Sequence, residues 1–407
     1  MSAAVQSLAI NAAPPRAIAS NAQGIGVIAL VPDRWQHIAH TTRHHVLRRL
    51  ANHFPVIWVE PPLYWRDVIK HPVKSWRQSV APASTERFRI LQQSLLYPRV
   101  YSPETLGRWV ERLRLRRARR MLERLGARRI VLYVWRPESA DALDALEHDL
   151  SCYHVDDEYS FSTVDGPTSS TEAGLIERVD QLFFTSPSLA AKKGPRHPHS
   201  MLIPNGVDFH AYTQPRSEPV DLSRIPRPRV GYIGVIKQQL DLALMADLAR
   251  RQSTLSFVFV GPKGLVGDQS RWLAELESLP NCYFLGPKPV EELPGYVQHL
   301  NVCTLCYKID GYTRYIYPLK LHEYLAGGRP VVAAPIESLR EFTGVVSIAR
   351  SVDEWSALLM RALAPESQSA SAQDVRRNIA SQFDWNELVA KIADTITVRL
   401  AESSKSR

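Results

Sequence analysis

An α/β chain with two doubly wound parallel sheets facing each other across a cleft is what this sequence predicts, and three observations predict it. Short β-branched runs alternate with helical periods along nearly the whole chain. The alternation breaks at Thr213–Pro228, a stretch with four prolines and several charges, and then restarts. A length of 407 residues, 45% of them hydrophobic, suits two or three domains at roughly 150 residues each.

Taken in order, the first 22 residues are rich in Ala, Ser, Asn and Pro and read as a disordered tail. The apolar stretch Ala3–Ile10 has no basic residue before it, so it does not read as a signal peptide. The first domain is expected over 23–210. Its strands fall at Gly26–Val31, Val56–Val59, Ile130–Trp135, Cys152–Val155, Gln181–Thr185 and Met201–Ile203, with helices at 38–52, 104–125, 139–148, 170–178 and 187–193. The second domain is expected over 211–384. Strands are placed at Val230–Ile233, Phe257–Val260, Cys282–Leu285, Val302–Tyr307 and Val331–Ala334, and helices at 240–251, 269–278, 291–300, 318–326 and 370–382. A last helix, 385–401, begins the closing segment 385–407.

Several classes are excluded early. The longest apolar runs, such as Ile25–Val31, are far shorter than the roughly 20 residues of a spanning helix. Four cysteines in a chain of this size make no disulfide framework. Cys303 and Cys306 form an isolated CxxC inside an expected buried strand, where a structural role is the better reading. His37, His40, His44 and His45 cluster near the first helix without an acidic partner and read as a solvated basic face. A cytoplasmic location follows from these points, and no metal site is expected.

Charge is distributed unevenly. The net charge is +9, yet residues 1–129 hold 22 Lys/Arg against seven Asp/Glu. Ten arginines lie between Arg108 and Arg129. Val110, Leu113, Ala118, Met121, Leu122 and Leu125 recur at helical spacing, which leaves arginines such as Arg116, Arg117 and Arg120 on the other face. A basic amphipathic helix of this kind suits an anionic membrane surface, each charge contributing about 1 kcal/mol near it. Nucleic acid is the weaker reading, because no recognised nucleic-acid-binding motif accompanies the charge.

The most informative segment is Tyr317–Pro335, YPLKLHEYLAGGRPVVAAP. Pro318 suits a first helical position, and the following amides, Leu319 among them, present the positive end of the helix to anionic oxygens. Lys320 adds a mobile positive charge. Glu323, about a turn further on, can accept two hydrogen bonds from a vicinal diol. Phosphates at a helix start with a diol-binding acid beside them describe a nucleotide-sugar pocket.

This segment resembles the donor-binding motif of group-1 glycosyltransferases of the GT-B fold. Three more segments resemble that family in its order: LIPNGVD at Leu202–Asp208, VGYIGVIK at Val230–Lys237, and FVFVGP with FLGPKP at Phe257–Pro262 and Phe284–Pro289. Phe383-Asp384-Trp385 before the last helix is similar too, and implies a helix that crosses back to the first domain. The resemblance implies that Gly234 and Lys237 approach the diphosphate and that Lys288 lies among the strand ends around the donor. It also implies a Glu-x7-Glu pair, but Tyr315 stands where the first glutamate is expected. Arg314 and Asp310 are nearby substitutes for it or structural loop residues.

In the first domain, CYHVDDEY at Cys152–Tyr159 ends an expected strand in adjacent acids. It resembles the matching segment of teichuronic-acid-type transferases and, more loosely, of the xanthan glucuronosyltransferase. That likeness implies Asp157 as general base toward an acceptor hydroxyl, with Asp156 the lesser candidate and His154 a core or acceptor-side residue. The alternative for either acid is a cap on the following segment.

The expected activity is transfer of a sugar from a nucleotide diphosphate sugar, UDP before GDP, to an acceptor hydroxyl. Lys237, Lys320 and the helix amides would stabilise the departing diphosphate without a metal or resident cofactor. Asp157 as base implies inversion; otherwise the family's front-side retention holds, and the reading leans to retention. The basic domain suggests a lipid-linked glycan acceptor at the inner membrane face, in exopolysaccharide or other cell-surface polysaccharide synthesis. The alternatives are a non-hydrolysing nucleotide-sugar epimerase and a catalytically silent membrane- or glycan-binding scaffold.

Overall fold

The computed structural model describes residues 24–35, 41–64, 66, 85–159 and 167–405. The expected tail and two of the clustered histidines, His37 and His40, lie outside the described residues. Two units are present, each built on its own all-parallel sheet.

The amino-terminal unit holds β1 (Ile25–Leu30), β2 (Val56–Val59), β3 (Phe88–Leu91), β4 (Arg129–Val134), β5 (Leu150–Val155), β6 (Gln181–Phe184) and β7 (Ser200–Leu202). Their order is β3-β2-β1-β4-β5-β6-β7. Every residue of β1, β2 and β5 is buried, as expected for parallel strands covered on both faces. The arginine-rich helix Glu104–Arg124 docks through Arg114, Leu115, Ala118 and Leu122, one stripe at three- and four-residue steps. Residues from Asn386 onward also belong to this unit. There Ile392, Ile396 and Leu400 are buried, and Arg129 Nη2 donates to the Leu400 carbonyl at 2.6 Å.

The carboxyl-terminal unit takes up at Pro204 and runs to Trp385. It contains β8 (Arg229–Ile233), β9 (Ser256–Val260), β10 (Cys282–Gly286), β11 (Val302–Leu305), β12 (Val331–Ala333) and β13 (Val346–Ile348), ordered β10-β9-β8-β11-β12-β13. The segment Thr213–Pro228 belongs to this unit. It carries a short helix, Val220–Ser223, and buries Leu222 and Ile225. Cys303 and Cys306 are fully buried free thiols, and burial pushes the Cys306 thiol up to about 12, so both are inert packing groups.

Elements not expected from sequence include β3, β13, the helix Val352–Leu363 and the short helices Phe209–Thr213, Val220–Ser223 and Pro365–Gln368. The first two are short sheet-edge strands, each paired on one side alone. Most other boundaries moved by a residue or two. The first helix is Thr42–Leu50, with the expected start at 38 outside the described residues, and the last runs to Lys405 instead of 401. The expected helix 139–148 is a helical turn, Ala142–Ala145, preceded by a 3-10 turn.

Candidate functional site

In parallel α/β sheets, ligands bind beyond the carboxyl ends of the strands. At that edge of the carboxyl-terminal sheet, β8, β9 and β10 run out into Gly234, Gly261 and Gly286, all with positive φ. Gly234 N–H donates to the Val260 carbonyl at 2.7 Å, and Gly261 N–H to that of Gly286 at 2.8 Å. A Cβ on Gly261 would lie 2.2 Å from the Gly234 carbonyl oxygen, so the two turns meet backbone to backbone. Gly261→Ala is therefore expected to destabilise this unit by about 3 kcal/mol, from φ strain and overpacking together. Denaturant unfolding of the two proteins measures it.

Onto this glycine edge the helix Leu319–Ala326 aims its start. Pro318 is the N-cap rather than the first helical residue, and no side chain caps the helix. The amides of Leu319 and Lys320 are the orphan donors of its first turn. The Lys320 side chain runs back over Gly234, where a Cβ would sit 2.1 Å from the lysine Cε and 2.7 Å from Nζ. Its ammonium lies 5.4 Å from the centre of the Tyr232 ring. Lys237 is half-buried in the turn after β8. Among the described residues neither Lys237 nor Lys320 makes an ion pair within 4.0 Å. Gly234, Leu319, Lys320 and Lys237 thus lie on or beside the edge where β8 ends.

The helix start is held by groups that sequence reasoning missed. Asn205, from the LIPNGVD segment, donates from Nδ2 to the Tyr317 carbonyl at 2.6 Å. Tyr324 OH accepts the Ile233 amide at 2.9 Å and ties the helix to the end of β8. Asp208 caps the short helix Phe209–Thr213, and that helix brings the buried Tyr212 hydroxyl to the Glu323 carboxylate. The FDW segment zips onto the same place: Val207 N–H donates to Phe383 at 2.9 Å, and Trp385 N–H to Val207 at 3.0 Å. In sequence, the visible sign of this support was the Asn-Gly-Val-Asp run, read only as a crossing.

Electrostatics at the helix follow from burial. The Glu323 carboxyl is raised above its usual range by desolvation, against the lowering pull of Lys320 and the Tyr212 hydrogen bond. His322, on the inner face, is brought down to about 3 by burial and stays neutral, its ring stacked 4.0 Å from Phe383.

Other expected donor-side residues are engaged elsewhere. Lys288 Nζ pairs with Asp221 at 2.6 Å, beside Tyr296, whose hydroxyl donates to the same carboxylate at 2.8 Å. Its charge is thereby neutralised within the fold. Tyr315 is buried in the 3-10 turn Thr313–Tyr315. Asp310 has a structural role in that turn: its Oδ1 accepts the Tyr312 and Thr313 amides at 3.0 and 2.7 Å.

In the amino-terminal unit, the run after β5 alternates anchored and less buried acids. Asp156 is held by Arg43 at 2.7 Å and by the Tyr159 hydroxyl. Glu158 is buried against Lys192 and Lys193, each at 3.2 Å, and Lys193 also reaches Glu172 at 2.8 Å. Between these anchors Asp157 is half-buried, its Oδ1 accepting the Glu158 amide at 2.9 Å. His154 is a core residue, not an acceptor contact: it is fully buried, stacks 4.3 Å from Trp135, and is lowered to about 3 by desolvation. Asp156 is likewise a structural partner of Arg43. Arg116, Arg117 and Arg120 are exposed. Of the remaining clustered histidines, His44 is buried rather than solvated, packed 4.8 Å from Trp58. Among the described residues, no three His, Cys, Asp or Glu side chains gather as a metal site, and no helix is long and apolar enough to cross a membrane.

Residues 227–365 match the family described as glycosyl transferases group 1. The chain is 30% identical over 237 residues to a Bacillus subtilis (strain 168) protein described as the teichuronic acid biosynthesis glycosyltransferase TuaH; the match covers 55% of this chain and 58% of that relative. Among solved structures, an E. coli trehalose-6-phosphate structure bound with UDP-2-fluoro glucose covers 91% of this chain and 98% of its own, with 11% identity and a TM-score of 0.65. The α,α-trehalose 6-phosphate synthase of Burkholderia multivorans covers 95% and 98%, with 13% identity and a TM-score of 0.63. Likeness at such identity speaks for the fold, which is GT-B: two parallel-sheet α/β domains. Within that fold, residues 227–365 are the part that is similar to group 1 glycosyltransferases.

Proposed function

We propose that this protein transfers a sugar from a nucleotide diphosphate sugar to a hydroxyl of a lipid-linked glycan at the inner face of a membrane. One observation carries the reading. The uncapped start of the helix Leu319–Ala326, with Lys320 laid over Gly234 and Glu323 about a turn on, is an anion site beside a diol acceptor. The diphosphate rests on the Leu319 and Lys320 amides, with Lys320 and Lys237 neutralising its charge. Glu323, held by Tyr212, takes the ribose hydroxyls. Uridine is the base we assign, in keeping with the UDP-sugar named for the E. coli structure. Two lysines and a helix terminus supply the positive field at the leaving group, so the proposed reaction runs without a divalent ion. The relative named for teichuronic acid synthesis supports a cell-surface polysaccharide as the product. The exposed arginines of Glu104–Arg124 support peripheral attachment to an anionic surface.

Glu323→Ala tests the donor half. Calorimetry with UDP-sugars is expected to show about 10- to 100-fold weaker binding, the worth of hydrogen bonds to a charged group. Unchanged affinity contradicts the assignment. The raised carboxyl also sets a pH dependence: donor affinity falls as pH drops through a range above that of an ordinary glutamate, because the protonated group loses acceptor capacity. Glu323→Gln removes that dependence.

A further inference from the structure

Lys320 and Glu323 stand three residues apart on the helix Leu319–Ala326, a spacing at which opposite charges meet. Yet no ion pair within 4.0 Å joins them among the described residues. The carboxylate is taken by the Tyr212 hydroxyl, and the lysine turns the other way, back over Gly234. A half-buried ammonium without a carboxylate partner needs another source of stabilisation. The groups around it narrow the choice. At the end of β11 stands Cys306, whose thiol is pushed up to about 12 by burial, stays protonated and offers no counter-charge. From β8 comes Tyr232, with its ring centre 5.4 Å from Nζ.

Tyr232 is itself held in place. It is buried in β8, and its hydroxyl donates to the Val235 carbonyl at 3.2 Å, in the turn that carries Gly234. Burial raises that hydroxyl well above its usual range, so it too stays neutral. A Cβ on Gly234 would lie 3.3 Å from the tyrosine oxygen and 2.7 Å from the lysine Nζ, so ring, turn and ammonium converge on one point. The negative face of an aromatic ring attracts a cation and leaves its charge uncancelled. A carboxylate in the same place would also attract it, but would cancel the charge a diphosphate needs. An aliphatic residue would fill a buried strand position equally well; what the aromatic face adds is a seat for the ammonium.

We propose that Tyr232 is a positioning residue: its aromatic face seats the Lys320 ammonium, unpaired, at the end of β8 where the donor diphosphate arrives. The inference rests on the donor reading above and adds to it the group that orients the lysine. Such a seat keeps the lysine in its binding-competent place, and weakening it lowers affinity by the fraction of time the ammonium spends elsewhere. Its test is UDP calorimetry on the full chain, with the ring altered in charge distribution and hardly in size. Tyr232→Phe keeps the face and serves as the reference. Placing 3,4,5-trifluorophenylalanine at position 232 draws negative charge off the face, and is expected to weaken UDP binding about three- to fivefold against that reference. Lys320→Met is expected to cost about fivefold by itself, and in that background the fluorines change nothing. Matching melting temperatures show that each protein is folded. Equal UDP affinity of the fluorinated and reference proteins overturns the proposal. So does a fluorine effect of the same size in both lysine backgrounds, because packing alone then explains it. The same titrations separate this inference from the reading beneath it. UDP that the parent does not bind, or that Lys320→Met binds as tightly as the parent, removes Lys320 from the donor site and this inference with it. UDP binding that Lys320→Met weakens and the fluorines leave alone removes this inference only.

Discussion

Replacing Lys320 by Met is expected to lower kcat about 100- to 1,000-fold while changing UDP affinity far less. Preorganised charge at a leaving group stabilises what develops in the transition state, and removing one such donor typically costs that much. The geometry gives the reason for choosing this lysine. It sits on the second residue of an uncapped helix, and its alkyl chain is packed over Gly234, which fixes where the ammonium points. Methionine keeps the stem and removes only the charge. Steady-state kinetics with separate donor titration checks it; a parent-like kcat would remove the lysine from the chemistry.

Asp157→Asn is expected to lower transfer about 100- to 10,000-fold and to leave donor binding intact, the range set by loss of a positioned base. We propose that, as the acceptor oxygen bonds to the anomeric carbon and the bond to the diphosphate breaks, the hydroxyl proton passes to Asp157. Asp156 is tied to Arg43 and Glu158 to two lysines, which holds the residue between them in place. Asparagine keeps an acceptor oxygen for the Glu158 amide, and an unchanged melting temperature shows that the variant is folded. The product's anomeric configuration is the second readout. Inversion accompanies a base at Asp157, whereas a fully active variant with a retained product reassigns the carboxylate to a structural role.

How far the sequence carries can be seen at individual residues. Most strands were legible because each is a short apolar run that stays buried over its whole length, as in IGVIAL of β1. β3 was not: FRIL alternates with an exposed Arg89 and stands at a sheet edge. The helix Val352–Leu363 carries a sequence signal at Ser351, whose side chain accepts the Glu354 amide. At the site, Pro318, Lys320 and Glu323 were legible because helical spacing alone puts them at one helix start. Asn205 and Tyr212 were not, since each acts on a group more than a hundred positions away. The same limit applies to Lys288, whose partner Asp221 is 67 residues off, and to Asp156, whose charge is answered by Arg43. Local pattern names a helix end; it does not say which charges the fold has already neutralised.

The most direct test of the central claim is a crystal structure of the full chain with UDP. The diphosphate is predicted to contact the Leu319 and Lys320 amides, with the Lys320 and Lys237 ammonium groups on its oxygens and the ribose hydroxyls on Glu323. A nucleotide bound elsewhere, with those two amides left to solvent, would contradict the account.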